Sequence, residues 1–183
     1  MRLTKRVSIG LLCVFGAVLI AGCASFPPPD HIEPFEESFG FGNPDEVAHF
    51  WNWAQRWEFT EEQAVNKEKP GGAILESTYK LSGDFQIQLR GKLSQSWTNS
   101  RRSHLEVCGQ TIGLATWRPA EINLSIKREG NRLTYRFIGQ DPVVVELSGD
   151  QAGPTRVKLA VYGRHATIYQ FDLNADSADR IME

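Results

Sequence analysis

The fold is decided at residues 121–137, which read Glu121-Ile122-Asn123-Leu124-Ser125-Ile126-Lys127-Arg128-Glu129-Gly130-Asn131-Arg132-Leu133-Thr134-Tyr135-Arg136-Phe137. Ile122, Leu124 and Ile126 alternate with polar residues, which places their side chains on one face of an extended strand. Gly130-Asn131 interrupts this pattern, and a second alternating run begins at Arg132. Two alternating runs joined by a Gly-Asn turn predict an antiparallel β-hairpin with one buried face.

The same period of two recurs along most of the chain. Phe85, Ile87 and Leu89 share one face of another predicted strand. We expect a second hairpin between residues 156–162 and 166–173, because Gly163-Arg164 separates two apolar alternating runs. About ten short strands at roughly even spacing predict an all-β antiparallel sandwich or barrel.

One short N-terminal helix is expected before the strands dominate. Asn43-Pro44-Asp45-Glu46 combines a capping residue, a proline at the first helical position and acids in the first turn. We expect this helix to reach Trp53, and we expect Trp51, Trp53 and Trp57 to cover one end of the apolar core.

The N-terminus has the pattern of a signal peptide. Arg2, Lys5 and Arg6 precede an uncharged run from Val7 to Leu19. This run is too short for a comfortable membrane-spanning helix. The segment Ile20-Ala21-Gly22-Cys23 that follows resembles the lipobox of bacterial lipoproteins.

The lipobox resemblance implies cleavage before Cys23 and acylation of that cysteine, for example with palmitate. Residues 1–22 are then the signal peptide, and the membrane is a partner of the mature protein through its lipid anchor. Ala24 follows the cysteine, and it is not the aspartate linked with inner-membrane retention. The expected location is therefore the cell envelope and, in a host with two membranes, the outer membrane, facing the periplasm.

Composition and charge divide the mature chain and limit its partners. We expect a proline-rich tether at residues 23–34, a single β-sandwich domain at 35–175 and a C-terminal tail at 176–183. Three of the 20 basic residues and none of the 22 acidic ones lie in residues 1–22, so cleavage moves the net charge from −2 to −5. An acidic domain of this kind is not expected to bind nucleic acid.

No cofactor or metal site is predicted. Cys108 has no partner for a disulfide if Cys23 is acylated, and its apolar neighbours indicate a small buried side chain. The histidines lack the spacing of zinc ligands. Asp172-x-Asn174-x-Asp176 partly imitates a calcium loop, but Ser177 replaces the glycine that such a loop needs.

The order of these elements resembles the concanavalin A-like lectin and glucanase jelly roll, and within it the 3-keto-disaccharide hydrolase-like domain family. The resembling segments are Glu37-Ser38-Phe39, Arg56-Trp57-Glu58-Phe59, 71–77 with 83–87, 122–139, 157–163 and 167–172. The resemblance implies an antiparallel jelly-roll β-sandwich. Those hydrolases tend to carry Asn-Ser-Gly-Ile after the long strand, whereas Asn99-Ser100 is followed here by Arg101-Arg102.

Two tryptophans flank the polar stretch in which we place the ligand site. Sugar rings stack on aromatic faces, and nearby side chains donate hydrogen bonds to their hydroxyl groups. The predicted ligand-binding residues are Trp97, Asn99, Arg101, Arg102, Trp117 and Arg118. Core packing of both tryptophans is the alternative interpretation.

No pair of carboxylates suited to glycosidase chemistry stands out, since Glu58, Glu76 and Glu106 each lack an acidic partner two residues away. No catalytic residue is therefore predicted. The favoured hypothesis is non-catalytic binding of a glycan, such as peptidoglycan, or of another envelope component. The alternatives are a glycoside-active enzyme of the keto-sugar hydrolase type and a structural or partner-binding lipoprotein without a ligand.

Basic residues crowd the hairpin at residues 121–137. Lys127, Arg128, Arg132 and Arg136 are interpreted as a solvated sheet face. Recognition of an acidic glycan is the alternative.

Overall fold

The computed structural model describes residues 29–38, 50–52, 57–60, 63–66, 73–93, 103–114, 120–161 and 166–182. The strands are β1 His31–Ile32, β2 Phe35–Ser38, β3 Trp51–Asn52, β4 Trp57–Phe59, β5 Ala64–Asn66, β6 Ala73–Ser77, β7 Tyr79–Leu93, β8 His104–Val107, β9 Gln110–Gly113, β10 Ala120–Glu129, β11 Arg132–Phe137, β12 Val143–Glu146, β13 Lys158–Val161 and β14 Ala166–Arg180. The helical element with described bounds is a 3-10 turn at Gly149–Ala152.

The strands form two antiparallel sheets. One has nine strands in the order β12-β11-β10-β7-β14-β5-β4, and β1 and β2 add to it by pairing with β14. The other has five strands in the order β3-β6-β13-β8-β9. The chain crosses between the sheets several times, so neighbours in sequence often lie in different sheets. The predicted all-β antiparallel jelly-roll sandwich is confirmed.

The hairpin that decided the fold has the expected register. β10 and β11 pair from Leu124↔Phe137 to Glu129↔Arg132, and Gly130 in the turn has a φ of +57°. A positive φ is the conformation that glycine adopts without a steric penalty. β10 also pairs with β7, where Leu124 lies opposite Leu89. The hairpin is therefore continuous with the centre of the nine-stranded sheet.

The inner faces of the two sheets form one apolar core. The predicted sets at Phe85, Ile87 and Leu89 and at Ile122, Leu124 and Ile126 are all buried. Trp51 of the five-stranded sheet meets Phe171 of the nine-stranded sheet edge to face, with ring centroids 5.1 Å apart. Such aromatic contacts stabilise a core beyond the area that they bury.

Cys108 is buried in this core, as predicted. Burial raises the pKa of its thiol, although Arg128 and Thr155 act in the opposite direction. A thiol held in its neutral form is a poor nucleophile.

The predicted helix end at Trp53 is wrong in its last turn. Trp51 and Asn52 form a strand, in which Trp51 pairs with Ser77. This pairing places the Trp51 ring in the core. Burial of that ring favours the strand over the helix that the local sequence predicts. Trp57 also lies in a strand and is buried, so its predicted core role is confirmed. Residues 43–49 and Trp53 lie outside the described residues.

The predicted second hairpin is also wrong. β13 pairs with β6 and β8 in the five-stranded sheet, whereas β14 pairs with β7, β5, β2 and β1 in the other sheet. The connection between β13 and β14 therefore crosses between the sheets, which alternation along the chain does not reveal.

The sheet extends beyond the boundaries placed at residues 35 and 175. β1 lies within the predicted tether, and β14 continues through the predicted tail to Arg180. Ala178 is buried opposite Ile32, so a small core residue among polar neighbours prolongs the strand. Asp172, Asn174 and Asp176 lie along this extended strand rather than in a calcium-type loop.

Candidate functional site: the polar face of the nine-stranded sheet

The central strands of the nine-stranded sheet present a continuous polar surface on the side away from the core. Core and polar side chains alternate along β7, β10, β11 and β14, apart from local bulges. Strand pairing therefore aligns the polar residues in rows across the sheet. We define the polar face as Gln86, Gln88, Arg90, Asn123, Ser125, Lys127, Thr134, Arg136, Gln170, Asp172 and Asn174.

The middle row of the polar face is organised by amide and hydroxyl groups. Ser125 pairs with Gln88 on one side and with Arg136 on the other. The Gln88 Nε2 donates a hydrogen bond of 2.7 Å to the Ser125 Oγ. Because that oxygen already accepts a bond, the Ser125 hydroxyl proton is free to donate outward.

Asp172 lies on the other side of Gln88 in the same row. The Gln170 Nε2 donates a hydrogen bond to the Asp172 Oδ2. The amide therefore holds this carboxylate in place on the polar face.

A bulge in β14 adds an aromatic ring to this surface. The β7–β14 register shifts between Ile168 and Gln170, which leaves Tyr169 as an extra residue. Ile168 and Phe171 are both buried, so Tyr169 and Gln170 between them face away from the core. The Tyr169 side chain is 47% exposed. The bulge thus places an accessible aromatic ring next to Gln170 on the polar face.

Gly91 permits the close approach of strands at this bulge. A Cβ atom on Gly91 would lie 2.6 Å from the Thr167 carbonyl oxygen and 3.0 Å from the Ile168 Cδ1. The first of these atoms belongs to the backbone, so it cannot move aside as a flexible side chain would. Glycine at residue 91 therefore sets the position of β14 next to Tyr169.

Charges on the outer faces of the two sheets are arranged differently. On the five-stranded sheet, the Lys158 Nζ lies 3.2 Å from the Glu106 Oε2, and the His104 Nε2 lies 2.8 Å from the Glu106 Oε1. Burial acts to raise the pKa of Glu106, but hydrogen bonds from Lys158 and His104 outweigh it and lower that pKa. Glu106, a lone carboxylate in the sequence, is therefore already bound by two side chains of its own sheet.

On the polar face, by contrast, two guanidinium groups stay open to a ligand. Arg90 and Arg136 are exposed, and neither forms an ion pair with a residue that the structure describes. Lys127 pairs with Glu129 at 2.7 Å, and the Arg132 Nε lies 3.9 Å from the Glu146 Oε1.

The prediction that Arg128 lies on a solvated sheet face is wrong, since this residue is only 5% exposed. Its guanidinium donates hydrogen bonds to the carbonyl oxygens of Gly130, Gly153 and Ala152. Arg128 therefore fastens the β10 end to the 3-10 turn instead of facing solvent. A position on the core side of β10 explains the difference, since Ile126 and Leu124 share that side.

The sequence-predicted site residues Trp97, Asn99, Arg101, Arg102, Trp117 and Arg118, and the predicted lipidation residue Cys23, lie outside the described residues. The residues that flank these two predicted site segments are neighbours. Leu93 pairs with Ala120, and the Leu114 N–H donates to the Ser103 carbonyl oxygen at 2.8 Å. The described residues on either side of the two segments therefore lie next to each other in pairs.

Within the described ranges, no cluster of three or more histidine, cysteine, aspartate or glutamate side chains could hold a metal ion. The same ranges contain no helix with the length and apolar character that a membrane crossing requires.

Comparison with known proteins finds similarity at the level of solved structures. No protein-family model matches the chain, and no curated protein matches it. The CBM2 module of the Lactobacillus casei BL23 phage J-1 evolved Dit is 10% identical, with a TM-score of 0.46, and the match covers 83% of this chain and all of that one.

Two enzymes give matches of similar size. The Crh5 transglycosylase in complex with NAG is 10% identical, with a TM-score of 0.44 and coverage of 81% of this chain and 87% of that one. The Bacillus licheniformis beta-glucanase is 9% identical, with a TM-score of 0.44, and the match covers 79% of this chain and 98% of that one. Identities this low give no residue-by-residue correspondence with the polar face.

Proposed function

We propose that this chain is an envelope lipoprotein whose β-sandwich binds a glycan on the polar face without turning it over. The observation that carries the proposal is the exposed ring of Tyr169 beside a row of amide and hydroxyl groups. A sugar ring has an apolar C–H face that packs on an aromatic ring, and its hydroxyl groups exchange hydrogen bonds at the rim. The polar face offers both kinds of contact.

Individual side chains have distinct roles in this proposal. Tyr169 supplies the stacking surface, and Gln170 pairs directly with Arg90 at its side. Gln88 and Ser125 supply an acceptor and a donor whose orientations are fixed by their mutual bond of 2.7 Å. Fixed side chains lose less conformational entropy when a ligand binds, which favours affinity.

The tryptophans that the sequence predicts to bind a ligand remain part of the proposal. Trp97 and Trp117 are proposed as further stacking surfaces for the sugar rings.

Anchoring at Cys23 places the binding domain at a membrane surface. The lipobox resemblance implies acylation, and more than one acyl chain is needed for a stable anchor. An outer-membrane location facing the periplasm would make peptidoglycan an accessible ligand.

The proposal is tested by glycan binding to the Tyr169→Ala variant. We expect wild-type protein to bind immobilised peptidoglycan or an oligosaccharide of a glycan array, and Tyr169→Ala to bind about 1–2 kcal/mol more weakly. Tyr169→Phe should retain most of the affinity, because the ring remains. Met182→Ala is the matched control, since this side chain is 85% exposed and is not part of the polar face.

Three outcomes separate the hypotheses. Loss of binding in Tyr169→Ala alone supports the proposed site. Absence of any glycan binding at millimolar concentration would contradict it and favour a structural lipoprotein. Release of sugar products that Asp172→Asn abolishes would instead identify a glycoside-active enzyme.

A further inference from the structure

Two arginines without an ion-pair partner among the described residues lie on the polar face on either side of β10. Arg90 of β7 pairs with Asn123 of β10, and Arg136 of β11 pairs with Ser125, two residues further along β10. β7 and β11 are separated only by β10, and the offset of two residues along the strands puts the Cα atoms of the two arginines roughly 12 Å apart. Both side chains are long enough to reach a group lying above β10.

The floor between these arginines is rich in hydrogen-bond donors. Ser125 accepts from Gln88 at 2.7 Å, which leaves its hydroxyl proton to donate outward. Asn123 adds an amide next to Arg90. Two guanidinium groups, a hydroxyl and an amide on neighbouring positions of one sheet face suit an anionic oxygen better than a neutral ligand.

Three other cations of the two sheets have different environments. Lys127 and Lys158 have carboxylate partners within 3.2 Å, and Arg128 is buried against carbonyl oxygens. The mature chain also carries a net charge of −5, so nothing at long range attracts an anion to it. Arg90 and Arg136 therefore form a local basic site on an acidic protein.

Resting on the proposed function, we infer that the glycan recognised by the polar face is acidic, a chain containing sugar carboxylates. Arg90 and Arg136 bind the carboxylate groups, and Tyr169 stacks on an adjacent ring. Guanidinium groups suit this role because their planar fork donates two parallel hydrogen bonds to one carboxylate.

The experiment compares an oligogalacturonate hexamer with its methyl ester, which has the same sugars without the charges. We expect the hexamer to bind more tightly than the ester and to lose affinity as sodium chloride is added. Arg90→Gln and Arg136→Gln should each weaken hexamer binding roughly tenfold, the scale of a lost charge-assisted hydrogen bond. Each variant should weaken binding of the ester less than binding of the hexamer, because the ester has no carboxylate that loses its guanidinium partner.

Arg132→Gln is the matched control. Arg132 lies on the same strand and face as Arg136 and loses the same charge, but it already has Glu146 nearby at 3.9 Å. We expect a change of about twofold or less in this control. Arg90→Lys, which keeps the charge and loses the planar fork, should fall between wild type and Arg90→Gln. Circular dichroism and thermal unfolding establish that all variants are folded.

Each outcome bears on a definite claim. Equal binding of hexamer and ester, with Arg90→Gln and Arg136→Gln unchanged, would overturn the acidic-glycan inference and leave the proposed function standing. An equal loss in Arg132→Gln would overturn it as well, because the effect would then follow from net charge alone. Failure of both oligosaccharides and of peptidoglycan to bind would contradict the proposed function itself.

Discussion

At the scale of single residues, His31 joins the start of the described chain to its last strand. Its Nδ1 lies 2.6 Å from the Asp179 Oδ1, and its Nε2 lies 3.5 Å from the Glu33 Oε2. The hydrogen bond with Asp179 is the main cause that raises the pKa of His31 above 6.5, and the bond with Glu33 adds to it. Protonated His31 is thus the form that holds β1 on β14.

The sign of this pKa shift predicts how stability depends on pH. A raised folded-state pKa means that the contact stabilises the fold fully below the unfolded value of 6.5 and that this contribution is lost as pH rises through the folded-state pKa. We expect wild type to be more stable than His31→Asn at about pH 5.5, with the difference shrinking as the pH rises through the folded-state pKa of His31. Urea unfolding at several pH values measures it, and a pH-independent difference would contradict the assignment.

Residue roles divide into those that the sequence predicts and those that need the fold. Alternation predicts burial of Leu124 and Ile126 correctly, because the period of two depends only on extended backbone. The same period places Arg128 on the core side, but its burial as a charged residue depends on carbonyl partners at Ala152 and Gly153 that are distant in sequence. Arg90 and Gln88 are likewise recognisable as a site only after pairing brings β10 and β14 beside them.

At the scale of elements, the β14 bulge determines what the polar face can bind. A sequence signal for it exists, since the apolar phase of Ala166 and Ile168 differs from that of Phe171 and Leu173. Strict alternation cannot bury both sets, so one extra residue must lie between them. Tyr169 is that residue. The change of phase therefore predicts a bulge in β14. Its position opposite Gly91, and its effect on the polar face, follow only from the strand pairing.

Gly91→Ala is expected to disturb this element. The added Cβ would meet the Thr167 carbonyl oxygen at 2.6 Å, so β7 and β14 must separate locally. We expect a loss of about 1–3 kcal/mol in unfolding free energy, the usual range for overpacking. Chemical denaturation measures this loss, and glycan binding should weaken in the same variant because Tyr169 moves with β14.

Gly113→Ala is the control for this substitution. Gly113 is likewise a strand glycine, at the end of β9, but a Cβ atom there meets nothing within 4 Å. Its stability should change by no more than about 0.5 kcal/mol. Equal destabilisation of the two variants would show that glycine is not specifically required beside the bulge.

At the scale of the whole molecule, local pattern predicts the class of fold but not the assignment of strands to sheets. Period-two runs and turns predict an antiparallel sandwich, which the structure confirms. The sheet to which β13 belongs depends on packing of its buried face against distant strands. The domain boundaries shift for a related reason, since β1 is stable only because β14 extends far enough to pair with it.

The docked N-terminal segment also limits how far the domain can stand from its proposed anchor. The Tyr79 hydroxyl donates to the Pro29 carbonyl oxygen at 3.0 Å, and the Arg180 N–H donates to the Asp30 carbonyl oxygen at 2.7 Å. Chain that can act as a spacer therefore ends before Pro29. Between Cys23 and Pro29 there are six residue steps, and an extended chain of that length reaches at most about 20 Å.

Cys23→Ser tests the anchor. We expect wild-type protein in outer-membrane fractions of a density gradient, with an acylated N-terminal peptide beginning at Cys23 in mass spectra. Cys23→Ser should be lost from the outer-membrane fraction, because the acyl chains that anchor the protein are attached to this cysteine. Cys108→Ser is the matched control and should stay membrane-bound, since Cys108 is buried in the core. Recovery of a wild-type chain that retains residues 1–22, or of Cys23→Ser in the outer membrane to the same extent as wild type, would contradict the lipoprotein assignment. Glycan binding by Cys23→Ser should be unchanged, because the polar face is built entirely from strands that follow the tether.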